Sequence, residues 1–370
     1  MDCLVVCAPG LEAVLTGELA DLRLRPRRTV RGGVEVRATT RQLYAANVWL
    51  RSASRVLVRA GRFRAQTFDA LERRLGCIDW SPWISEAVRV RVRASCSGSR
   101  LHHSGAVAER VGRVVRGTND ADAPEQLVVV RVHRDVVTVS VDASGEHLHR
   151  RGWRLATGKA PLRETLAAAM VLASGWRGET PLVDPLCGSG TIAIEAALLA
   201  QGRAPGAGRP FAFQRWPSFE PGTWASVRED VRRADAEASR RFIPPIVAAD
   251  RDAGAVAAAR ANAERAGVSA VVEMWRQPIA ATLAALPSPP GWVITNPPYG
   301  ARVGGTDLRD LYATLGRVVR APVPWNLGVL VADRVLAGQI GTRLEDRFRT
   351  TNGGIPVTFC TTPAAGLPGN

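Results

Sequence analysis

The sequence has few cysteines, a single lysine and no long apolar run. Its six cysteines stand apart, without a C-x-x-C pair or a histidine cluster beside them, so we expect no metal site and predict reduced, mostly buried thiols. The longest apolar stretch, around residues 166–173, is far shorter than the ~18 residues that a membrane-spanning helix requires. The first residues include an acid and no basic segment. We therefore expect no secretion signal, no membrane partner and a cytoplasmic location.

Acidic residues are also in short supply. The chain has 49 Lys and Arg against 34 Asp and Glu, a net charge of +15, and Lys159 is the only lysine. Residues 1–158 hold 26 of the basic residues but only 16 of the acidic ones. Genome composition would explain arginine in place of lysine, but not the surplus over acids. Because such a field attracts polyanions, we predict a nucleic-acid partner.

The chain of 370 residues is too long for one ordinary core, and its pattern changes along its length. The first 60 residues follow a β–α–β–α order, and a second α+β region follows. A basic segment at 146–160 has no apolar period. Beyond it, strands alternate with helices, which predicts a doubly wound, mostly parallel sheet. We therefore predict an α/β protein with domains at 1–65, 66–152 and 153–370.

One strand of the second region carries a stripe of arginine. In "AVRVRVRAS", valines alternate with Arg89, Arg91 and Arg93, so the two residue types take opposite faces. Two interpretations stay open at this stage. The stripe is either a solvated face of the sheet or a row of phosphate contacts.

The segment "DPLCGSGT", residues 184–191, joins an apolar strand to an apolar helix. Gly188 and Gly190 allow the backbone to approach a ligand with positive φ. With Ala193 they fit the spacing of a dinucleotide fingerprint. However, Asp184 stands four residues before Gly188, where a carboxylate suits a zwitterionic amino acid better than a pyrophosphate.

A second acid ends the next predicted strand. Asp250 lies 60 residues after Gly190 instead of the ~20 expected for a nicotinamide-binding fold, so an insertion separates them. Its two oxygens could hold two ribose hydroxyls. The alternative is that Asp250 caps the following helix, although Asp252 is the better cap candidate.

The insertion is rich in aromatic residues. They could form a lid over a substrate or could pack against the protein, and we favour packing. The residues are Phe211, Phe213, Trp216, Phe219 and Trp224.

The segment "VITNPPYG" ends a strand in an unusual way. Asn296 offers a carbonyl acceptor, Pro297 and Pro298 stiffen the turn and leave nearby backbone carbonyls free, and Tyr299 offers a flat ring. Two acceptors beside a ring fit an exocyclic amine on a stacked base, held for attack on a methyl sulfonium. All five histidines precede the catalytic region, so we expect no histidine base.

"DPLCGSGT" followed by "NPPYG" resembles the S-adenosylmethionine-dependent amino-methyltransferases that act on exocyclic nitrogens of bases. "APGLEAVLTGEL", "GGVEVRATTRQLYAANVWLRSASRVL" and "LHRRGWR" resemble the THUMP-containing RNA guanine-N2 methyltransferases, and "RPFAFQRWPSFEPGTW" is similar to a segment of their bacterial 23S rRNA branch. The match covers nearly the whole chain. It implies a ferredoxin-like domain, a THUMP module that grips RNA, and a Rossmann-like domain that methylates a guanosine of structured RNA, with 23S rRNA favoured.

The resemblance leaves three alternatives: a tRNA guanine-N2 methyltransferase, an adenine-N6 DNA methyltransferase, and a noncatalytic RNA-binding factor. It also shows a departure, because the family's usual aspartate after the third strand is replaced here by Gln277 or Pro278. Gln277 could still accept one N–H bond from adenine. The resemblance assigns the cofactor to Asp184, Cys187, Gly188, Ser189, Gly190, Asp250 and Gln277, and catalysis to Asn296, Pro297, Pro298 and Tyr299.

Overall fold

The computed structural model describes residues 1–154, 162–238, 240–299 and 305–363, which form two seven-stranded sheets with helices. The N-terminal half builds the first sheet. Its elements are β1 (Asp2–Cys7), α1 (Glu12–Asp21), β2 (Pro26–Val30), β3 (Gly33–Arg37), α2 (Thr40–Trp49), β4 (Ala53–Arg64), α3 (Phe68–Gly76), β5 (Arg89–Ser97), α4 (Ser104–Val114), β6 (Glu125–His133) and β7 (Val136–Asp142).

The first sheet runs without a break through both predicted N-terminal domains, in the order β2-β3-β1-β4-β7-β6-β5. The strand β4 is 12 residues long, and its first half pairs with β1 while its second half pairs with β7. The predicted boundary at residue 65 remains a prediction, but the two regions share this strand. The strands β2 and β4 were not predicted from the sequence.

The helices of this half cover one face of the sheet. Residues Val5 of β1 and Val58 of β4 are buried beneath α1 and α2, and Val128 of β6 is buried beneath α3 and α4. The predicted threonine cap is present at α2, where Thr39 Oγ1 accepts a hydrogen bond from Gln42 N at 3.2 Å. The opposite face of the sheet carries no helix among the described residues.

The C-terminal half builds the second sheet, in the order β10-β9-β8-β11-β12-β14-β13. The strands from β10 to β12 are parallel, as predicted, and an antiparallel hairpin that was not predicted closes the sheet. The elements are α5 (Glu164–Ser174), β8 (Leu182–Asp184), α6 (Thr191–Ala200), a short 3-10 helix (Ala212–Arg215), α7 (Pro221–Ala238), β9 (Ile246–Asp250), α8 (Ala253–Arg265), β10 (Val272–Arg276), α9 (Ile279–Ala284), β11 (Trp292–Thr295), α10 (Gly305–Val319), β12 (Asn326–Val331), α11 (Arg334–Gly338), β13 (Glu345–Asn352) and β14 (Ile355–Thr361).

The aromatic insertion packs inside the protein, which confirms the interpretation that we favoured over a lid. The ring of Phe213 is fully buried and stacks on Tyr44 of α2, with 4.2 Å between centroids. The indole nitrogen of Trp216 donates to Gln126 Oε1 of β6 at 2.9 Å. The insertion therefore joins the second half of the chain to α2 and the first sheet.

The basic segment between the halves points partly inward. Arg150 is exposed and pairs with Glu146, whereas Arg151 is only 5% exposed and pairs with Glu195 of α6 at 3.0 Å. Lys159 lies outside the described residues. Part of the positive charge of this segment is therefore neutralised by an ion pair with the C-terminal half.

The cysteines follow the prediction of mostly buried thiols. Four are buried, Cys96 is half-buried, Cys77 is exposed, and all six are free. Among the described residues, no three His, Cys, Asp or Glu side chains are grouped so that they could bind a metal. No described helix is both long enough and apolar enough to cross a bilayer.

Candidate active site

The predicted site residues meet at the carboxyl ends of three neighbouring strands. Asp184 ends β8, Asp250 ends β9, and Asn296 directly follows β11. Since β8 lies between β9 and β11, these residues share one edge of the parallel sheet. The chain reverses its direction of strand addition between β8 and β11, and such a switch point opens a crevice for ligands.

The turn between β8 and α6 is shaped by two glycines. Gly188 has φ +51° and Gly190 has φ +81°, both in the left-handed region. A Cβ on Gly190 would lie 2.9 Å from the Cβ of Ala259, so α8 packs against the turn there. A Cβ on Gly188 would meet no atom within 4 Å, so this side of the turn has room for a ligand. Asn262 holds the turn by donating to the carbonyl of Ser189 at 3.1 Å.

Asp250 supports the same turn from the next strand. Its Oδ2 accepts a hydrogen bond from Gly188 N at 3.0 Å, and its Oδ1 accepts one from Asp252 N at 3.0 Å. The cap of α8 is Asp252, whose Oδ1 accepts from Ala255 N at 2.6 Å. Each oxygen of Asp250 keeps a lone pair, so the carboxylate can still accept from ligand hydroxyls.

Asp184 lies beneath the turn and is only 1% exposed. Its Oδ1 accepts from Leu186 N at 3.2 Å and from Thr295 Oγ1 at 2.7 Å. Burial raises the pKa of Asp184 to about 7, and these two hydrogen bonds oppose that rise. The bond from Thr295, which the sequence did not single out, ties the end of β8 to the end of β11.

Asn296 presents an acceptor that no described residue uses. Its Oδ1 is buried and has no hydrogen-bond partner in the described part of the chain. Pro297 next to it is buried and Pro298 is exposed. Since an unsatisfied buried acceptor costs ~1–3 kcal/mol, a donor supplied by a ligand would be favourable here.

Tyr299 is half-buried, and a hydrogen bond to its phenol oxygen holds its ring in place. Its phenol oxygen accepts a hydrogen bond from the side-chain amide of Asn352, the last residue of β13. Burial raises the pKa of the Tyr299 phenol, so the ring stays neutral. Asn352 was not among the predicted site residues, because it lies 53 positions after Tyr299 in the sequence and outside the motif.

Gln277 and Cys187 complete the predicted set. The backbone N–H of Gln277 donates to the carbonyl of Asp250 at 3.1 Å, and its side-chain Nε2 is buried without an acceptor among the described residues. Cys187 is 7% exposed, and burial raises the pKa of its thiol, so the thiol stays protonated and is no nucleophile. The amide of Gln277 is thus available to a ligand, whereas Cys187 helps to pack the turn.

Three family models match consecutive parts of the chain. The "RlmL ferredoxin-like domain" matches residues 2–57, the "THUMP domain" matches 65–142, and the "RMKL-like, methyltransferase domain" matches 151–359. The third match alone covers more than half of the chain.

The chain is also similar to whole proteins. It is 32% identical over 365 residues to the "Putative RNA methyltransferase slr0064" of Synechocystis sp., covering 95% of this chain and 94% of that protein. It is 36% identical over 367 residues to the "Ribosomal RNA large subunit methyltransferase K/L" of Syntrophotalea carbinolica, covering 94% of this chain but only 51% of that protein, so the chain spans about half of its length. The crystal structure of SMU.472, "a putative methyltransferase complexed with SAH", superposes with a TM-score of 0.88 at 28% identity, covering 99% of this chain and 98% of that one. The chain therefore belongs to the RMKL-like methyltransferases that carry an RlmL ferredoxin-like domain and a THUMP domain ahead of the catalytic domain.

Proposed function

We propose that this methyltransferase transfers a methyl group from S-adenosylmethionine to the exocyclic N2 of a guanosine in 23S ribosomal RNA. The RNA substrate is supported by the names of the two relatives and by the basic N-terminal half. The amine acceptor is supported by the buried Oδ1 of Asn296, which has no hydrogen-bond partner among the described residues, and by the ring of Tyr299, which Asn352 holds through a hydrogen bond. This acceptor, unused in the described part of the chain, is the observation that carries the proposal.

The described residues fit the cofactor. The open side of Gly188 leaves room at the turn, and Asp250 at the end of the neighbouring strand can accept from ribose hydroxyls. The Nε2 of Gln277, which has no acceptor among the described residues, could donate to a ring nitrogen of adenine, and the Oε1 of the same amide could accept from the adenine amine in place of the usual aspartate. When bound, S-adenosylmethionine supplies an electrophilic methyl group on a sulfonium.

Asn296 and Tyr299 would prepare the amine for attack. The Oδ1 of Asn296 accepts one N–H of the base, which steers the nitrogen lone pair out of conjugation with the ring, and Tyr299 supports the face of the base. An amine held in this way could accept the methyl group that bound S-adenosylmethionine would supply, with the electron pair of the broken carbon–sulfur bond left on sulfur. The methylated nitrogen loses its extra proton to water, so no side-chain base is required. The base has to leave its stack to enter this site.

The test is the variant Asn296→Ala, with Asn326→Ala as the matched control. Asn326 is also a half-buried asparagine of the same sheet, but it lies at the amino end of β12. We expect Asn296→Ala to reduce turnover by ~100-fold or more, by analogy with the loss of one transition-state hydrogen bond, while cofactor affinity stays within about threefold. The control should keep turnover near that of the wild type.

The product is identified by mass spectrometry of nucleosides from 23S rRNA, tRNA and DNA incubated with the enzyme. N2-methylguanosine in 23S rRNA supports the proposal. The same product only in tRNA, N6-methyladenine in DNA, or no methyl incorporation would each replace it with one of the alternatives raised by the sequence. Unchanged turnover in Asn296→Ala would remove Asn296 from the mechanism.

A further inference from the structure

The face of the first sheet that lacks helices contains a groove, here called the sheet groove, with a volume of about 330 Å³. Its floor is aliphatic, with Val6, Leu57 and Val129 contributed by β1, β4 and β6. This volume lies at the lower end of the ~300–1,000 Å³ typical of small-ligand sites. The groove spans both N-terminal regions, and its residues lie outside the candidate active site.

The rim of the sheet groove is basic and nothing in it is acidic. Four arginines line it, namely Arg31, Arg55, Arg93 and Arg131, and no Asp or Glu is among its lining residues. Arg55 is held in place by the buried Asp142. In the described part of the chain, the other three arginines form no ion pair, so their charge is available to a ligand.

Three other arginines on this face pair with acids, whereas Arg28, Arg37, Arg62 and Arg64 of the same face form no ion pair among the described residues. Arg89 and Arg91 both pair with Glu125, at 3.3 and 3.1 Å, and Arg59 pairs with Glu35 at 2.9 Å. The uncompensated charge of the face therefore includes the rim of the sheet groove and extends beyond it to these four arginines. The predicted arginine stripe is accordingly divided, because only its third member belongs to the groove.

We propose that the sheet groove binds an unpaired segment of the substrate RNA, a proposal that rests on the proposed function. Arginines on the rim match the phosphates, and the aliphatic floor can desolvate the face of an exposed base. A duplex hides the faces of its bases and offers mainly its backbone, so it would leave the floor unused. The combination of apolar floor and basic rim thus favours a loop or a single strand.

The basic surface continues from the groove toward the catalytic domain. Burial, together with the nearby charges of Arg55, Arg163 and Arg93, lowers the pKa of His147 to about 4. Two of these arginines belong to the groove, while Arg163 precedes α5, the first described helix of the catalytic domain. RNA leaving the groove on this side would therefore be led toward the catalytic half.

The test compares two double variants of the full chain that remove the same charge. Arg93→Ala with Arg131→Ala removes two of the four rim arginines of the groove, whereas Arg73→Ala with Arg74→Ala removes two exposed arginines of α3, in the layer on the other face. Binding is measured with a 12-nucleotide single-stranded RNA, its duplex, and an unmodified 23S rRNA transcript.

We expect the groove variant to bind the single strand at least ~10-fold more weakly and to lower the slope of log K against log salt by about 1.4, since each phosphate contact contributes ~0.7 on single strands. The α3 variant should bind within twofold of the wild type. A third variant, Val129→Ser, should weaken single-strand binding while leaving the salt slope unchanged. Equal losses in the two double variants, no loss in the groove variant, or tighter binding of the duplex by the wild type would overturn the proposal. Matching thermal midpoints of the variants confirm that they fold.

Methylation assays on the same variants separate this proposal from the proposed function. Groove variants should raise the KM for RNA and keep kcat at saturating RNA. If they bind and methylate RNA as the wild type does, the sheet groove is not the RNA site and the proposed function stands. If they lose RNA binding while the wild type methylates no guanosine, the groove stands and the proposed reaction is wrong.

Discussion

The hydrogen bond between Thr295 and Asp184 allows a sharp prediction, because it joins the end of β11 to the end of β8 in the protein interior. Both side chains are buried, and the donor and acceptor are 2.7 Å apart. The variant Thr295→Val removes the hydroxyl and preserves the shape, so it should leave no cavity. The free energy of unfolding should fall by ~1.5–3 kcal/mol when the Asp184 acceptor is ionised and by ~0.5–1.5 kcal/mol when it is neutral.

The size of this loss should therefore depend on pH. Burial raises the pKa of Asp184 to about 7 in the folded protein, above its ordinary value near 3.8. A carboxyl group whose pKa is raised by folding contributes less stability as the pH rises through the interval between these values, since the folded state must give up a proton that it holds. Removal of the Thr295 donor raises this pKa further. The destabilisation by Thr295→Val should then be larger at pH 8.5 than at pH 5.5.

The assay is urea unfolding at these two pH values, with Thr282→Val as the control. Thr282 is also fully buried, but its hydroxyl donates to the neutral carbonyl of Pro278, at 3.2 Å. The free energy of unfolding of the control should fall by ~0.5–1.5 kcal/mol at both pH values. A pH-independent loss in Thr295→Val, or a loss no larger than that of the control at pH 8.5, would refute the assignment of an ionising acceptor.

Two further predictions concern ligands. Asp250→Ala should weaken cofactor binding by ~1–3 kcal/mol, because it removes both the proposed ribose contact and the acceptor of Gly188 N–H; calorimetry that gives equal affinity would exclude the ribose role. Asn352→Leu removes the hydrogen bond that holds the ring of Tyr299. It should lower kcat/KM for RNA by ~5–10-fold, about the value of one hydrogen bond, and leave cofactor affinity unchanged. Tyr299→Phe should lose about as much, and the double variant no more than either; fully additive losses would show that the two residues act separately.

The elements that were predicted are those whose apolar residues repeat with a clear period. The strand β9, for example, is apolar until Asp250, and α2 begins at a capping threonine. The strand β4 was missed because a bulge between Arg59 and Gly61 interrupts its alternation. The strand β2, "PRRTV", is almost entirely exposed, so pairing with β3 and not burial keeps it in the sheet. Local sequence carries little signal for strands that depend on their partners.

The same distinction applies to the candidate site. The residues at the ends of β8, β9 and β11 were predicted because each motif is contiguous and follows a buried strand. Thr295 was missed because a threonine in a strand is ordinary, and its partner Asp184 lies 111 positions away. Asn352 reaches Tyr299 only through the hairpin of β13 and β14, which was itself not predicted. Motifs locate the groups that touch ligands, whereas the groups that orient them depend on the tertiary fold.

Besides the aromatic insertion, a set of arginines from the N-terminal half and the connecting segment contacts α6, the helix that begins at the cofactor turn. Arg151 pairs with Glu195 at 3.0 Å, and both side chains are almost completely buried. Arg51, which follows the C-cap of α2, donates to the carbonyl of Leu198 at 3.3 Å. Burial of such charges costs about as much as their attraction returns, so net stability does not explain them. Their fixed donor geometry instead sets how the helix sits against the N-terminal half.

A third arginine acts at the first residue of the same helix, where Arg154 donates to Thr191 Oγ1 at 2.6 Å. The three contacted positions, 191, 195 and 198, are spaced by four and three residues, so they lie on one face of α6. That face is held at its beginning, middle and end by the N-terminal half and its connecting segment. The cofactor turn is therefore fixed relative to the first sheet and its groove. An RNA bound in the groove would have to present its target base at a set distance, so this arrangement would select the nucleotide by its position in the folded RNA.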